Sequence, residues 1–96
     1  MKMISIFKLA GAFSENKDIA RNIRIQEIIP SLEKKEEVIL DFEKVDAVTQ
    51  SFIHALISDL FRKYGNAVLD RVAFKSCNET VQKIIGIVVD YMQEGL

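Results

Sequence analysis

Residues 38–64 run VILDFEKVDAVTQSFIHALISDLFRKY, a buried strand, a short turn and a long amphipathic helix. Val38 to Phe42 is mostly apolar, as an interior member of a parallel sheet should be, with Asp41 interrupting it near its end. Glu43 to Val48 forms the turn. Gln50 to Tyr64 then repeats at helical spacing. Stepping about 100° per residue, Ile53, Leu56, Ile57, Leu60 and Tyr64 fall on one stripe that predicts burial. Ser51, His54, Ala55, Ser58 and Arg62 fall on the opposite, solvent-facing stripe, with Phe52 and Phe61 on the shoulders. Gly65 supplies the left-handed residue that often ends helices.

Upstream, Met3 to Leu9 is an apolar run with β-branched and aromatic members, ending at Ala10-Gly11, and predicts a first strand. Ser14 or Asn16 offers the cap of a following helix, since either side-chain oxygen accepts from a free first-turn N–H. Ile19, Ala20 and Ile23 share one face of that helix, whereas Ile25, Ile28 and Ile29 fall on another. The helix therefore changes direction near Arg24, or its second half packs on something else. Pro30 is expected to end it, because proline biases the preceding residue away from helical geometry. The charge run Glu33 to Glu37 is a solvated connection.

Downstream, Arg71 to Lys75 predicts a third strand, with Val72 and Phe74 pointing one way and Ala73 and Lys75 the other. Ser76 and Glu79 have capping-box spacing ahead of a last helix over Cys77 to Met92. Val81, Ile84, Ile85, Val88 and Met92 form its core stripe, and Ile87, Val89 and Tyr91 widen it. Gly86 costs that helix about 1 kcal/mol relative to alanine and is expected to mark a close backbone contact. Alternating strands and helices predict one α/β domain over residues 1–96, of β-α-β-α-β-α order. Its single, mainly parallel sheet has right-handed crossovers and helices mainly on one face.

Composition narrows function by exclusion. A formal net charge of −1 with no basic run gives no reason to expect nucleic acid or an anionic membrane. The N-terminal stretch MKMISIFKLAG has a strand's pattern rather than a leader's, and no apolar run approaches the ~20 residues of a membrane span. One cysteine and one histidine make neither a disulfide nor a zinc site, which fits a cytoplasmic setting. A helix dipole would lower the thiol pKa of Cys77, but without a resolving cysteine a structural thiol is the better reading. Asp41 and Asp46 serve Asx turns rather than a metal. Gly11 stands alone, without a phosphate-cradling glycine run. No cofactor is expected.

IFKLAGAF followed by a helix resembles the opening of STAS domains, the fold of bacterial anti-sigma factor antagonists. VILDFEKVDAVTQSF resembles their signature of an apolar strand ending in Leu-Asp, a hydrophobic turn and an Asp-Ser-Ser-Gly-Leu helix start. It is more similar to an uncharacterised STAS-like bacterial family with a Ser-Phe pair opening the helix. The resemblance places Ser51 on the serine that a histidine-kinase-like ATPase phosphorylates in the antagonists. Thr49 stands where those have aspartate, Gln50 where they have the first serine, and Phe52 where they have glycine. The usual first strand of the longer STAS domain has no counterpart. The resemblance implies partner switching by a signalling module.

The residues give the same helix start a physical case of its own. A phosphate on Ser51 would sit in the first turn, where free N–H groups and the dipole favour its charge of about −1.5 to −2. The plainer alternative is that Thr49 caps the helix and Ser51 is a small polar first-turn residue. His54, three residues on, is within reach of Ser51, but no G-x-S-x-G elbow accompanies the pair. The expectation is a non-enzymatic protein-binding module whose surface comprises Thr49, Gln50, Ser51, Phe52, His54, Ala55, Ser58 and Arg62. The alternative is a structural homodimer closed through Ile25, Ile28, Ile87, Val89 and Tyr91.

Overall fold

A computed structural model describes residues 1–94. In chain order its elements are β1 (Lys2–Ser5), α1 (Ile6–Ala10), β2 (Phe13–Ser14), α2 (Lys17–Ile23), a π-helical turn (Arg24–Ile28) and α3 (Ile29–Glu33). Then come β3 (Val38–Asp41), β4 (Ala47–Val48), α4 (Gln50–Tyr64), a 3-10 turn (Gly65–Ala67), α5 (Val68–Arg71), β5 (Val72–Lys75) and α6 (Glu79–Glu94). The α/β class and the mainly parallel sheet are as the sequence predicts.

The main sheet has the order β1-β3-β5, all parallel, so the apolar β3 is paired on both sides. Ile4, Leu40 and Phe74 stand in one register row, and Met3, Ile39 and Ala73 in the next. Successive side chains alternate between faces, so these rows separate. Ile4, Val38, Leu40 and Val72 are buried under the helices, while Met3 and Ala73 are exposed on the open face. The helical layer is centred on α4, which packs against both α2 and α6. Its buried Ile53, Leu56, Ile57 and Leu60 complete the core. Each such side chain contributes about 1.5–3 kcal/mol.

The first strand is shorter than its apolar run suggests. Ser5 caps a helical turn by accepting the Lys8 N–H at 3.2 Å, so Ile6 to Leu9 leave the sheet as α1. A short apolar run does not distinguish strand from buried helix, and here the cap decides.

The broken phase around Arg24 is a π-helical turn, in which the Ile29 N–H donates to the Arg24 carbonyl five residues back. This wider turn resets the apolar face, so Ile28 and Leu32 are buried in line with Ala20 and Ile23. Pro30 does not end the helix. Ile29 keeps helical angles, φ −59° and ψ −47°, and Pro30 falls in the first turn of α3. There its missing N–H and fixed φ are tolerated. Arg71 closes the other end of α3, its Nη2 donating to the Leu32 carbonyl at 2.9 Å.

The Ser76–Glu79 capping box does not form, because Ser76 adopts a positive φ of 58° and turns away from α6. Asn78 is the cap instead. Its Oδ1 accepts the Val81 N–H at 2.8 Å, and its Nδ2 donates to the carbonyls of Val45 and Asp46 at 3.3 and 2.9 Å. One side chain thus starts α6 at Glu79 rather than Cys77 and ties it to the loop after β3.

Among the described residues Gly86 marks no close contact. A Cβ built there meets nothing within 4 Å, and its φ is ordinary. Gly86→Ala is therefore expected to stabilise the domain by about 1 kcal/mol through helix propensity alone. That corresponds to a thermal midpoint about 4–8 °C higher, read by circular dichroism.

Candidate functional site

The site is assembled by two of the shortest elements. β2 and β4 pair in parallel, Phe13 opposite Ala47 and Ser14 opposite Val48. The ladder is extended by the Asp46 N–H to the Ala12 carbonyl (2.7 Å) and the Thr49 N–H to the Ser14 carbonyl (3.2 Å). Buried Ser14 locks the turn before it by donating from Oγ to the Gly11 carbonyl at 3.0 Å. Gly11 has φ 87°, a left-handed angle that glycine adopts without steric cost.

Each of these strands leads at once into a capped helix. Asn16 Oδ1 accepts the N–H groups of Asp18 and Ile19 at the start of α2. Thr49 Oγ1 accepts the Phe52 N–H at 3.1 Å at the start of α4. Because β2 and β4 are in register, α2 and α4 begin in step and pack side by side. Where their starts meet the C-terminal half of α6, a groove of about 560 Å³ opens. Lys17 lines it from α2, Gln50, Ser51, His54 and Ala55 from α4, and Ile87, Val88 and Tyr91 from α6.

Ser51 is exposed on the groove wall in the first turn of α4. Among the described residues the N–H groups of Gln50 and Ser51 have no hydrogen-bond partner, so the residues of α4 that line the groove belong to the positive end of the helix. His54 lines the same wall half-buried, and no hydrogen bond joins it to Ser51 among the described residues. On the opposite side Ile87 and Tyr91 are 46% and 68% exposed, an apolar wall open to water.

Of the eight residues the sequence assigns to a partner surface, the groove gathers Gln50, Ser51, His54 and Ala55. Thr49 is half-buried beneath them as the cap. Phe52 is not on the surface at all; its exposure is 0%, as is that of Phe61. The reason is that α4 has a helix on each flank, so the shoulders of its apolar stripe are covered as well as its centre. Ser58 is also buried, at 3% exposure; it neighbours the Phe61 shoulder three residues back and is covered with it. Arg62 is exposed but lies about 16 Å along the helix from Ser51. Its Nη1 pairs with Asp59 Oδ1 at 2.6 Å, outside the groove.

The groove has a fixed underside. Arg24, in the π-helical turn, donates from Nη1 to the Ala55 carbonyl at 2.6 Å and pairs through Nη2 with Asp59 Oδ2 at 3.1 Å. Only 11% of the Arg24 side chain is exposed, and among the described residues its Nε has no partner. This guanidinium joins α4 to the π-helical turn one helical turn past Ser51.

The residues proposed for a homodimer do not form one surface. Ile28 is fully buried, carried into the core by the π-helical turn. Half-buried Val89 lines a second groove, of about 530 Å³, beside Gly86 and Phe74. Ile87 and Tyr91 belong to the Ser51 groove; Ile25 is exposed elsewhere.

Other candidates resolve as local structure. Asp41 Oδ1 accepts the Glu43 N–H at 3.0 Å, an Asx turn. Burial pushes the half-buried Cys77 thiol above its ordinary pKa, and the negative charge of Asp41 adds to the rise, so no helix dipole activates it. Among the described residues no three His, Cys, Asp or Glu side chains cluster as metal ligands, and no helix is long and apolar enough to cross a membrane.

The residues that sequence reasoning missed are Lys17 and Val88, while Ile87 and Tyr91 were visible only as surplus apolar positions. Lys17 has no signal in the sequence, because it reaches the site through two-residue strands too short to show a period. A family model described as a STAS-like domain of unknown function (DUF4325) matches residues 20–82 of the chain. The match contains the α4 wall of the groove, whereas Lys17, Ile87 and Tyr91 lie outside it. Comparison with curated proteins and with solved structures found no match.

Proposed function

The chain belongs to this family of STAS-like domains, and from that membership we propose a non-enzymatic regulatory module that grips a protein partner in the groove at the start of α4. The observation that carries the reading is Ser51, exposed on a groove wall that combines polar helix-start groups with an apolar face. Such a mixture suits a docking surface, with Ile87 and Tyr91 as the apolar centre and Gln50, Ser51 and His54 as the polar margin. Ser51 is also the residue at which such docking would be controlled. Its phosphorylation by a histidine-kinase-like ATPase would add a charge of about −1.5 to −2 beside the free N–H groups, altering the groove without disturbing the core.

The test is incubation with a candidate ATPase of that fold and ATP, followed by mass spectrometric mapping and titration calorimetry of the Ser51→Asp and Ser51→Ala variants. Phosphate on Ser51, with at least a tenfold change in partner affinity for Ser51→Asp and an unchanged fold in both variants, is expected. Absence of modification together with unaltered affinity removes the switch.

A second reading is a homodimer closed through Ile87 and Tyr91, supported by their exposure. Sedimentation separates the two. A chain that gains mass only with a heterologous partner supports the module; a tight dimer at micromolar concentration supports self-association.

A further inference from the structure

The charges around the groove select among partners. Among the described residues, Lys17 is the one formally charged side chain lining it, no carboxylate does so, and Lys17 has no ion-pair partner. The unpartnered Gln50 and Ser51 N–H groups add partial positive charge beside it, at the start of α4. Ile87 and Tyr91 stand opposite, so cationic and apolar walls face each other across one cavity.

We propose that the groove takes an acidic segment of the partner protein, one whose Asp or Glu carboxylate sits beside an aliphatic or aromatic anchor. The anchor lies against Ile87 and Tyr91, and the carboxylate faces Lys17 and the start of α4. A segment with a basic residue in that place meets Lys17 as a like charge, which disfavours it. This rests on the docking reading above and adds the chemistry of what docks.

Two small probes with the same apolar body and opposite charge, phenylpropionate and phenylpropylamine, stand in for the two kinds of segment. Each is titrated into the full-length 15N-labelled chain and followed by amide chemical shifts. Phenylpropionate is expected to shift Gln50, Ser51 and Tyr91 with an apparent affinity about three- to fivefold tighter than the amine, the preference shrinking in high salt. Lys17→Glu should invert the order. An acidic residue is favourable in the first turn of α2, so that variant keeps the fold. Equal affinity of the two probes for the groove, or preference for the amine, overturns the acidic partner and leaves docking standing. If neither probe moves the groove resonances, the docking reading falls with it.

Discussion

Phe52→Ala is expected to cost about 3–5 kcal/mol of folding free energy, a large share of the about 5–15 kcal/mol that holds such a domain together. The ring is fully buried, and the shoulder of α4 that carries it is enclosed by a neighbouring helix rather than offered to a partner. Truncation leaves a void among Leu56 and the other core residues, which relax only partly around it. The neighbouring substitution is the control. Ser51→Ala, one residue earlier and exposed, is expected to stay within about 0.5 kcal/mol of the parent. Urea unfolding of both variants checks the pair. A Phe52→Ala protein as stable as the parent would show the ring to be a surface group, as the sequence pattern suggested.

The second large effect is at the Arg24–Asp59 link. Asp59→Ala removes the counter-ion of a guanidinium whose Nε already lacks a partner, so a nearly buried charge is left with the Ala55 carbonyl alone. Breaking a buried pair costs about 3–5 kcal/mol; because Asp59 is itself 45% exposed, water softens the loss to about 2–3 kcal/mol. Arg24→Met keeps much of the packing and leaves Asp59 paired with Arg62, so it should cost clearly less. The double variant should then be more stable than Asp59→Ala, because no unpaired buried charge remains and the exposed Arg62 is left to water. Denaturant midpoints of the three variants decide it. A double variant that is the least stable of the set would show the ion pair to be a net stabiliser.

The contrast between these residues also shows what was legible in the sequence. Gln50 to Tyr64 was readable from end to end because fifteen residues give the helical period four turns to show itself, with Thr49 and Gly65 as punctuation. The identity of its central stripe followed. The fate of its shoulders did not, since Phe52 and Phe61 are buried by helices whose placement depends on residues far along the chain. The π-helical turn was visible as a phase that failed after Ile23, but a failed phase does not say whether the backbone widens or the packing changes. At Ser76 the spacing fitted a capping box, and the positive φ there handed the role to Asn78, a choice fixed by the carbonyls of Val45 and Asp46 more than thirty residues away. For the site, half of the partner surface lay on the one helix that could be read with confidence of period. The other walls came from α2 and α6, brought in by tertiary pairing that leaves no local trace.

The in-register pairing of β2 and β4 has a consequence for timing as well as shape. Two helix starts anchored to one ladder cannot splay independently, and Arg24 clamps the same helix a turn further on. The groove therefore holds its form before any visitor arrives, and capture forfeits little conformational entropy of the host. Encounter should be quick and governed by diffusion and long-range attraction, leaving the lifetime of the complex as the quantity that distinguishes a good ligand from a poor one.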